Sequence, residues 1–354
     1  MTIVIFGLTI SSAWGNGHAT LWRDLCRALH RRGHHVRFFE KDVPYYAGHR
    51  DLPQPEGCAL TLYPEWSAVA ADAARAADQA DAVVVTSYCP DGRDASALSL
   101  ASKAAVKVFY DLDTPVTLAQ LARGESVPYL PEEGLGGFDL VLSFTGGRAL
   151  DCLRDTLGAR RVAPLYGSVD PDRHHPVPAD TAHRSDLSYL GTYAADRQQV
   201  LESLFIAPAR ARGDLRFALA GSMYPDDFPW TRNIFYVRHM PPGDHPAFFC
   251  SSGLTLNVTR KPMAEMGYCP SGRLFEAAAC GTPILSDRWP GIEEFFEPGR
   301  DILIADDTRD ALDALDLSPG ERGRIAASAR DRTLSCHTAA IRASELETLL
   351  EGGA

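Results

Sequence analysis

The sequence predicts an α/β protein made of two Rossmann-like domains in tandem. Three observations support this prediction. Short apolar runs alternate with helical patterns along the chain, a polar proline-rich segment interrupts the alternation near the middle, and 354 residues suit two domains of roughly 150–180 residues each. Such units form parallel sheets, and their ligands bind beyond the carboxyl ends of the strands. We therefore expect two parallel sheets facing each other across a ligand-binding cleft.

The first half of the chain shows the alternation clearly. Ile3–Phe6 is a compact apolar run, and Thr20–Arg32 follows with helical spacing that places Leu21, Leu25 and Leu29 on one face. The other elements predicted before the linker are the strand Val36–Phe39, the helix Ala68–Ala80, and the strands Ala82–Thr86, Lys103–Tyr110 and Leu140–Phe144.

Four prolines break up a polar segment over 164–186, which predicts a linker between the domains. We expect an N-terminal domain over 1–168 and a C-terminal domain over 169–337. The strands predicted after the linker are Leu187–Leu190, Arg216–Ala220, Asn233–Val237, Leu254–Val258, Pro283–Ser286 and Ile302–Ala305. The helices predicted there are Arg197–Ala209, Ser271–Ala279, Ile292–Phe296 and Ala340–Leu350.

Composition argues against several classes of protein. The formal net charge of −11 lacks the basic balance that is usual for nucleic-acid binding, so we expect no nucleic-acid partner. No apolar stretch approaches the roughly 18–20 residues of a membrane span. None of the eight cysteines forms a C-x-x-C pair, which favours reduced thiols over a zinc site. With an N-terminus typical of a first strand, these features predict a cytoplasmic protein.

The most informative segment is Pro270–Asp287, with the sequence P-S-G-R-L-F-E-A-A-A-C-G-T-P-I-L-S-D. Ser271 and Gly272 precede a predicted helix, whose free backbone N–H groups suit a pyrophosphate. Arg273 adds a guanidinium that can contact phosphate in a bidentate manner. Glu276 lies one turn further along, where a carboxylate can accept hydrogen bonds from ribose hydroxyls. An ordinary helix–glycine–strand junction is the alternative interpretation.

A second candidate segment lies between the first strand and the first helix. Gly15 and Gly17 flank Asn16 and would let the backbone approach a ligand closely, although G-x-G-H is a poor dinucleotide fingerprint. His18 would begin the helix and face the cleft. An imidazole titrates near ~6.5, which suits a general base at neutral pH. A purely structural role in the loop is the alternative for His18.

Carboxylates at another strand end are further catalytic candidates. Asp111 and Asp113 flank Leu112 before Thr114, and they could orient an acceptor hydroxyl or serve as base. The D-x-D spacing also suggests a metal site, and a pair of turn-capping aspartates is a third possibility. Acceptor-side contacts with a weaker basis are His49, Arg50 and Asp51.

The order of several motifs resembles a known family. The chain is similar to GT-B glycosyltransferases of the group 1 type, and more closely to the branch named after the spore-maturation protein CgeB. Besides the segment after Pro270, the matching motifs are W-G-N-G-H-A-T at 14–20, Y-D-L-D-T-P at 110–115, L-Y-G-S-V-D-P at 165–171, Y-L-G-T-Y at 189–193 and L-N-V-T-R at 256–260. They span nearly the whole chain in order.

This resemblance has implications for the fold and the donor site. It implies a GT-B fold whose last helix, about 338–354, packs back onto the first domain. It also implies that the segment Arg238, His239 and Met240 holds the nucleobase, with structural histidines as the alternative.

The sequence departs from the group 1 pattern at two places. The pattern has a glutamate eight positions before Glu276, where this chain has Tyr268, and Glu265 is out of register. The G-R-x-x-x-x-K motif has Thr192 in place of its arginine, while Arg197 keeps a cation at the lysine position. Arg260 and Arg273 are candidates for the missing charge.

The resemblance implies transfer of a sugar from a nucleotide-sugar donor to an unidentified acceptor, with retention of configuration. GT-B enzymes usually need no metal, so we expect no metal and no cofactor besides the nucleotide sugar. Two other functions stay open, namely a nucleotide-sugar epimerase, which would need no acceptor, and an inactive nucleotide-sugar-binding partner protein.

Overall fold

The computed structural model describes residues 1–15 and 17–352 of the chain. The chain divides into two compact units: unit 1 comprises Met1–Tyr166 and Ala339–Ala354, and unit 2 comprises Gly167–Thr338. The predicted α/β class is confirmed, because each unit is built on one parallel sheet with helices packed against it. Asn16, in the middle of the W-G-N-G-H motif, lies outside the described residues.

The sheet of unit 1 has seven strands within the described residues, in the order β3-β2-β1-β4-β5-β6-β7. All neighbouring strands pair in parallel. The strands are β1 (Thr2–Gly7), β2 (His35–Lys41), β3 (Cys58–Tyr63), β4 (Ala82–Thr86), β5 (Val106–Asp111), β6 (Leu140–Ser143) and β7 (Val162–Pro164).

Helices cover both faces of this sheet. Successive strand residues point to opposite sides, so each strand contributes to two apolar cores. Ile3 and Ile5 belong to one apolar core, while Val4 and Phe6 belong to the other. The helices of unit 1 before the linker are α1 (His18–Arg31), α2 (Pro44–Ala47), α3 (Trp66–Asp78), α4 (Gly92–Ala101), α5 (Thr114–Ala122) and α6 (Arg148–Leu157).

Unit 2 contains a six-stranded parallel sheet within the described part of the chain, in the order β10-β9-β8-β11-β12-β13. The strands are β8 (Leu187–Leu190), β9 (Phe217–Ala220), β10 (Ile234–Val237), β11 (Thr255–Asn257), β12 (Ile284–Ser286) and β13 (Leu303–Ile304). The helices are α7 (Gln198–Leu201), α8 (Ala207–Ala211), α9 (His245–Cys250), α10 (Lys261–Met266), α11 (Gly272–Ala279), α12 (Thr308–Leu315) and α13 (Pro319–Cys336), with a π-helical segment Glu202–Ile206 between α7 and α8.

The last helix, α14 (Ala339–Glu351), completes unit 1. Ala343, Leu346 and Leu350 are buried in the same core as the inward face of α1. Glu347 pairs with His34 and Arg32 at the end of α1 and the start of β2. Burial of the apolar face of α14 holds this helix against the rest of unit 1. Among the described helices, none is both long enough and apolar enough to cross a membrane.

Candidate functional site

The candidate donor residues of unit 2 lie at a topological switch point of its sheet. From β8 the chain runs outward to β9 and β10, and it then returns to β11 on the other side of β8. Ligands of open parallel sheets bind outside the carboxyl ends of the strands at such a reversal. Gly191 follows β8 and Asn257 ends β11, so these two residues lie at the switch point.

The start of α11 presents backbone donors. Ser271 is its N-cap with extended backbone (φ −66°, ψ 140°), and within the described structure its side chain makes no capping hydrogen bond. The first amide groups of a helix have no partner inside the helix, and the helix dipole makes this end favourable for an anion. The predicted pyrophosphate contact at Ser271 and Gly272 therefore has suitable local geometry.

Arg273 places its guanidinium at the switch point. Its Nη1 donates to Oδ1 of Asn257 at 2.9 Å, and the guanidinium carbon lies 5.2 Å from the centre of the Tyr189 ring. Its Nε is buried and has no hydrogen-bond partner among the described residues. Burial lowers the pKa of Arg273, because the charged form is poorly solvated there. A bound anion would relieve that cost.

The two other candidate arginines differ in their charge environment. Arg197 donates from Nη1 to the carbonyl oxygen of Thr192 at 3.0 Å, and its Nε is buried without a partner in the described part of the chain. Arg260 instead forms an ion pair with Asp196, whose Oδ2 lies 3.0 Å from the arginine Nε. The charge of Arg260 is thus compensated within unit 2, which leaves Arg197 and Arg273 as the better-placed cations.

Glu276 lies beside two imidazoles. Nδ1 of His245 is 3.5 Å from Oε2 of Glu276, and His174 completes a group whose ligand atoms all lie within 4.8 Å of one another. Burial alone would raise the pKa of Glu276, but the neighbouring His245, His174 and Arg273 outweigh it and lower that pKa to about 2. Glu276 is therefore a carboxylate at neutral pH and can only accept hydrogen bonds or bind a cation.

The predicted nucleobase segment follows β10. Arg238 is exposed, whereas Met240 is buried and its carbonyl oxygen lies 3.3 Å from Nε2 of His245. His239 lies between them and is half-buried. The segment thus connects the end of β10 to the imidazole that neighbours Glu276.

Tyr268 occupies the position of the first glutamate in the group 1 pattern. Its backbone is left-handed (φ +50°), and its N–H donates to the carbonyl oxygen of Pro290 at 2.8 Å. A side chain at Gly291 would collide with the Tyr268 ring, since an added Cβ would lie 2.4 Å from it. The absence of a side chain at Gly291 therefore leaves the space that the Tyr268 ring occupies.

The candidate catalytic residues lie together in unit 1, near the switch between β1 and β4. His18 is the first residue of α1, and its Nε2 lies 3.4 Å from Oδ2 of Asp113, the residue before α5. The ring of Tyr88, which follows β4 with left-handed backbone, is 5.5 Å from the His18 ring. Nδ1 of His18 is buried without a hydrogen-bond partner in the described residues. A carboxylate beside an imidazole can stabilise its protonated form, as a general base requires.

Asp111 lies behind this pair. Its side chain is fully buried, Oδ1 accepts a hydrogen bond from the Asp113 N–H at 3.1 Å, and Oδ2 has no partner among the residues described. Burial raises the pKa of Asp111 to about 6. In this conformation Asp111 supports the loop that carries Asp113, whereas His18 and Asp113 are partly exposed.

The loop before α1 is fixed by carboxylates. Gly15 has left-handed backbone (φ +67°), and Gly17 is the N-cap of α1. Asp51, a weaker acceptor-side candidate, accepts the Ala13 N–H at 2.9 Å and pairs with Arg23. The other two weaker candidates also contact this loop: the His49 ring stacks on Trp14 at 3.9 Å, and Arg50 donates to Ser11 at 3.0 Å.

Sequence reasoning missed three residues that the structure brings to these sites. Glu40 is buried in β2 and accepts hydrogen bonds from Thr9, Ile10 and Ser11, which fixes the loop that leads to His18. Tyr88 stands beside His18, and His174 stands beside Glu276. A glutamate inside an apolar strand was a usable signal for Glu40, whereas His174 lay in the predicted linker with no local signal.

Comparisons with known proteins agree with this fold. Residues 197–348 match the family model described as Glycosyl transferase-like. The sucrose-phosphate synthase of Thermosynechococcus elongatus has a TM-score of 0.74 at 15% identity, with 99% of this chain and 98% of that chain covered. Anabaena HepE in complex with UDP-glucose has a TM-score of 0.71 at 12% identity, covering 99% and 100%.

A third solved structure is similar over its length as well. WaaG, a glycosyltransferase involved in lipopolysaccharide biosynthesis, has a TM-score of 0.66 at 15% identity, with 98% of this chain and 99% of that chain covered. No curated protein matches the sequence. The chain therefore has the GT-B fold that the sequence predicts, and the matched region supports its resemblance to the glycosyltransferase superfamily.

Proposed function

We propose that this protein is a glycosyltransferase that moves a sugar from a nucleoside-diphosphate sugar to an acceptor, and that it belongs to the CgeB-like branch. The observation that carries the proposal is the start of α11 at the β8–β11 switch point, where free helix amides, Arg273 and Glu276 come together. Helix amides and a guanidinium suit a diphosphate, and a buried carboxylate suits ribose hydroxyls.

Each part of the donor has an assigned partner in this proposal. Ser271, Gly272 and Arg273 contact the diphosphate, with Arg197 as a second cation. Glu276 accepts hydrogen bonds from the ribose hydroxyls. The segment 238–240 reads an edge of the base through backbone groups. Arg260 has a lesser role, because Asp196 already compensates its charge.

The chemistry is assigned to unit 1. As an acceptor hydroxyl attacks the anomeric carbon, it loses a proton, the C–O bond to the donor phosphate breaks, and the nucleoside diphosphate leaves. His18 and Asp113 supply a proton acceptor or hold the hydroxyl. We propose retention of configuration from the family resemblance, in which case a donor phosphate oxygen takes the proton. No metal is required, since helix amides and arginine neutralise the leaving diphosphate.

Ligand binding and product formation test the proposal. The protein is titrated with UDP, GDP and ADP by calorimetry, and it is then incubated with the matching sugar nucleotides with and without candidate acceptors. UDP-glucose is the first donor to test, because similar solved structures contain it. We expect one nucleoside diphosphate to bind and the sugar nucleotide to be consumed in an acceptor-dependent manner. Binding of none would contradict the donor site, and acceptor-independent isomerisation would indicate an epimerase instead.

A further inference from the structure

We propose that His174, His245 and Glu276 form a binding site for a divalent transition-metal ion of the Zn²⁺ type. Each of the three offers one ligand atom, and these atoms all lie within 4.8 Å of one another inside unit 2. Two imidazoles and a carboxylate are a common ligand set for zinc, with a fourth position left for water or another ligand. The inference goes beyond the proposed function, which requires no metal.

The orientation of His245 fits a metal ligand. Its Nε2 lies 3.3 Å from the carbonyl oxygen of Met240, so a proton on Nε2 points to that carbonyl and leaves the Nδ1 lone pair facing Glu276. Metal-bound histidines typically donate their second ring N–H to a carbonyl or carboxylate in this way. The 3.5 Å between Nδ1 and Oε2 of Glu276 is close to the edge of a zinc tetrahedron, about 3.4 Å for bonds of about 2.0–2.1 Å.

The burial of the His174 imidazole is an independent observation in favour of the site. Its side chain is almost completely buried, with 4% of the residue exposed. Neither Nδ1 nor Nε2 has a hydrogen-bond partner among the described residues. The backbone is nevertheless anchored, because the His174 N–H donates to the carbonyl oxygen of Asp170 at 2.9 Å. Burial of two unpaired ring nitrogens is costly, and coordination of a cation by one of them removes part of that cost.

The ligand set also argues for the kind of ion. Imidazole nitrogen favours zinc and its first-row neighbours, whereas calcium and magnesium prefer a shell of oxygens. Glu276 adds a carboxylate oxygen to the two imidazole nitrogens, and an ionised carboxylate balances part of the charge of a divalent ion. A small cation with mixed nitrogen and oxygen preference is therefore the expected occupant.

Cobalt and zinc titrations of the full-length, metal-free protein test the site. Tetrahedral Co²⁺ bound by nitrogen and oxygen gains visible absorption, which Zn²⁺ should then displace. We expect saturation at one equivalent. Calorimetry with Zn²⁺ on His174→Ala and Glu276→Gln should show at least about 100-fold weaker binding, since even outer partners of a metal ligand are worth about 10–100-fold. The exposed neighbour His175 gives the matched control His175→Ala, which should bind as the wild type does.

Thermal unfolding provides a second readout and checks that the variants fold. Zn²⁺ should raise the Tm of the wild type and of His175→Ala, and it should leave the Tm of a folded Glu276→Gln variant unchanged. Equal zinc affinity of His174→Ala and His175→Ala would overturn the proposal, as would absence of the cobalt spectrum at stoichiometric metal. An intense near-ultraviolet cobalt–thiolate band would also overturn it by assigning the ion to cysteines such as Cys250 and Cys280. These titrations contain no sugar nucleotide, so their failure is distinct from failure of the proposed function.

Discussion

Nε2 of His18 lies 3.4 Å from Oδ2 of Asp113, although the two residues belong to different βα units of the first sheet. The parallel sheet creates this proximity, because the loops after β1 and β5 leave the same edge. Both side chains are partly exposed, at 16% and 19%, while Asp111 behind them is fully buried. The pair is thus accessible to a substrate and has a rigid support.

The first prediction concerns this pair. If His18 takes the acceptor proton, His18→Ala should lower turnover by about 10²–10⁴-fold while nucleoside diphosphate affinity stays nearly unchanged. Asp113→Asn should lower it less, because the amide keeps the geometry but not the charge. Steady-state kinetics with calorimetry measures both effects. If His18 instead holds an acceptor hydroxyl, the KM for that acceptor should rise as kcat falls.

A control for this prediction lies on the same helix. His30 is exposed near the end of α1, and His30→Ala should keep normal turnover. Near-normal turnover of both His18→Ala and Asp113→Asn would show that this edge of the sheet carries no chemistry.

The second prediction concerns Glu276 and the ribose. Glu276→Ala should weaken nucleoside diphosphate binding by about 1–3 kcal/mol, because ribose hydroxyls lose a charged acceptor. Calorimetry with the nucleoside diphosphate measures this loss. Glu265→Ala, at an exposed glutamate of α10 that pairs with Lys261, should leave the affinity unchanged. Equal affinities of the two variants would contradict the ribose assignment.

The sequence predicted the buried strands best. Ile3–Phe6 and Ala82–Thr86 are continuous apolar runs, and they form β1 and β4 at the centre of the first sheet. The strand Cys58–Tyr63 was not predicted, although C-A-L-T-L-Y is largely apolar; β3 is the edge strand of the sheet, and only its last residue, Tyr63, is buried. Helix α13 was also missed, although Ser318 and Glu321 form a capping box that the sequence displays.

The residues of the candidate sites also differ in how well the sequence predicts them. Glu276 and Arg273 stand in a motif at a helix start, so a local pattern was enough to propose them. His174 and His245 are brought to Glu276 only by the fold, through the segment before β8 and the start of α9. Residues so far apart along the chain form no sequence pattern from which their contact could be predicted. The pairing of Arg260 with Asp196 was equally invisible, since it depends on the folding of the loops after β8 and β11.

The third prediction concerns the diphosphate. Arg273→Met should strongly reduce affinity for a nucleoside diphosphate but change affinity for the bare nucleoside little, because the guanidinium is assigned to the phosphates. A charge-assisted hydrogen bond of this kind is worth about 1.5–3 kcal/mol. Arg288→Ala is the control, since Arg288 is exposed and paired with Asp306. Equal losses for nucleoside and nucleoside diphosphate would point to a structural effect of Arg273.

The fourth prediction concerns metal dependence. Sugar transfer should survive excess EDTA, because the groups assigned to the diphosphate are helix amides and arginines and none of them needs a metal ion. A stopped or continuous assay of nucleoside diphosphate release measures this. Loss of turnover on chelation, with recovery on addition of Mn²⁺ or Mg²⁺, would instead favour a metal role for Asp111 and Asp113.

The fifth prediction follows from the buried Asp111. Burial raises its pKa in the folded protein to about 6 from an ordinary 3.8, so the native state binds an extra proton between these values. The unfolding free energy contributed by this group therefore falls as pH rises from about 4 to about 6, and it stays low above that. The asparagine of Asp111→Asn does not titrate, so the variant lacks this pH-dependent loss. The unfolding free energy of the variant minus that of the wild type should therefore rise by about 1–3 kcal/mol between pH 4 and pH 7. Urea denaturation across this pH range measures the difference. Asp155→Asn, at an exposed carboxylate of α6, is the control, and parallel behaviour of the two variants would contradict the assignment.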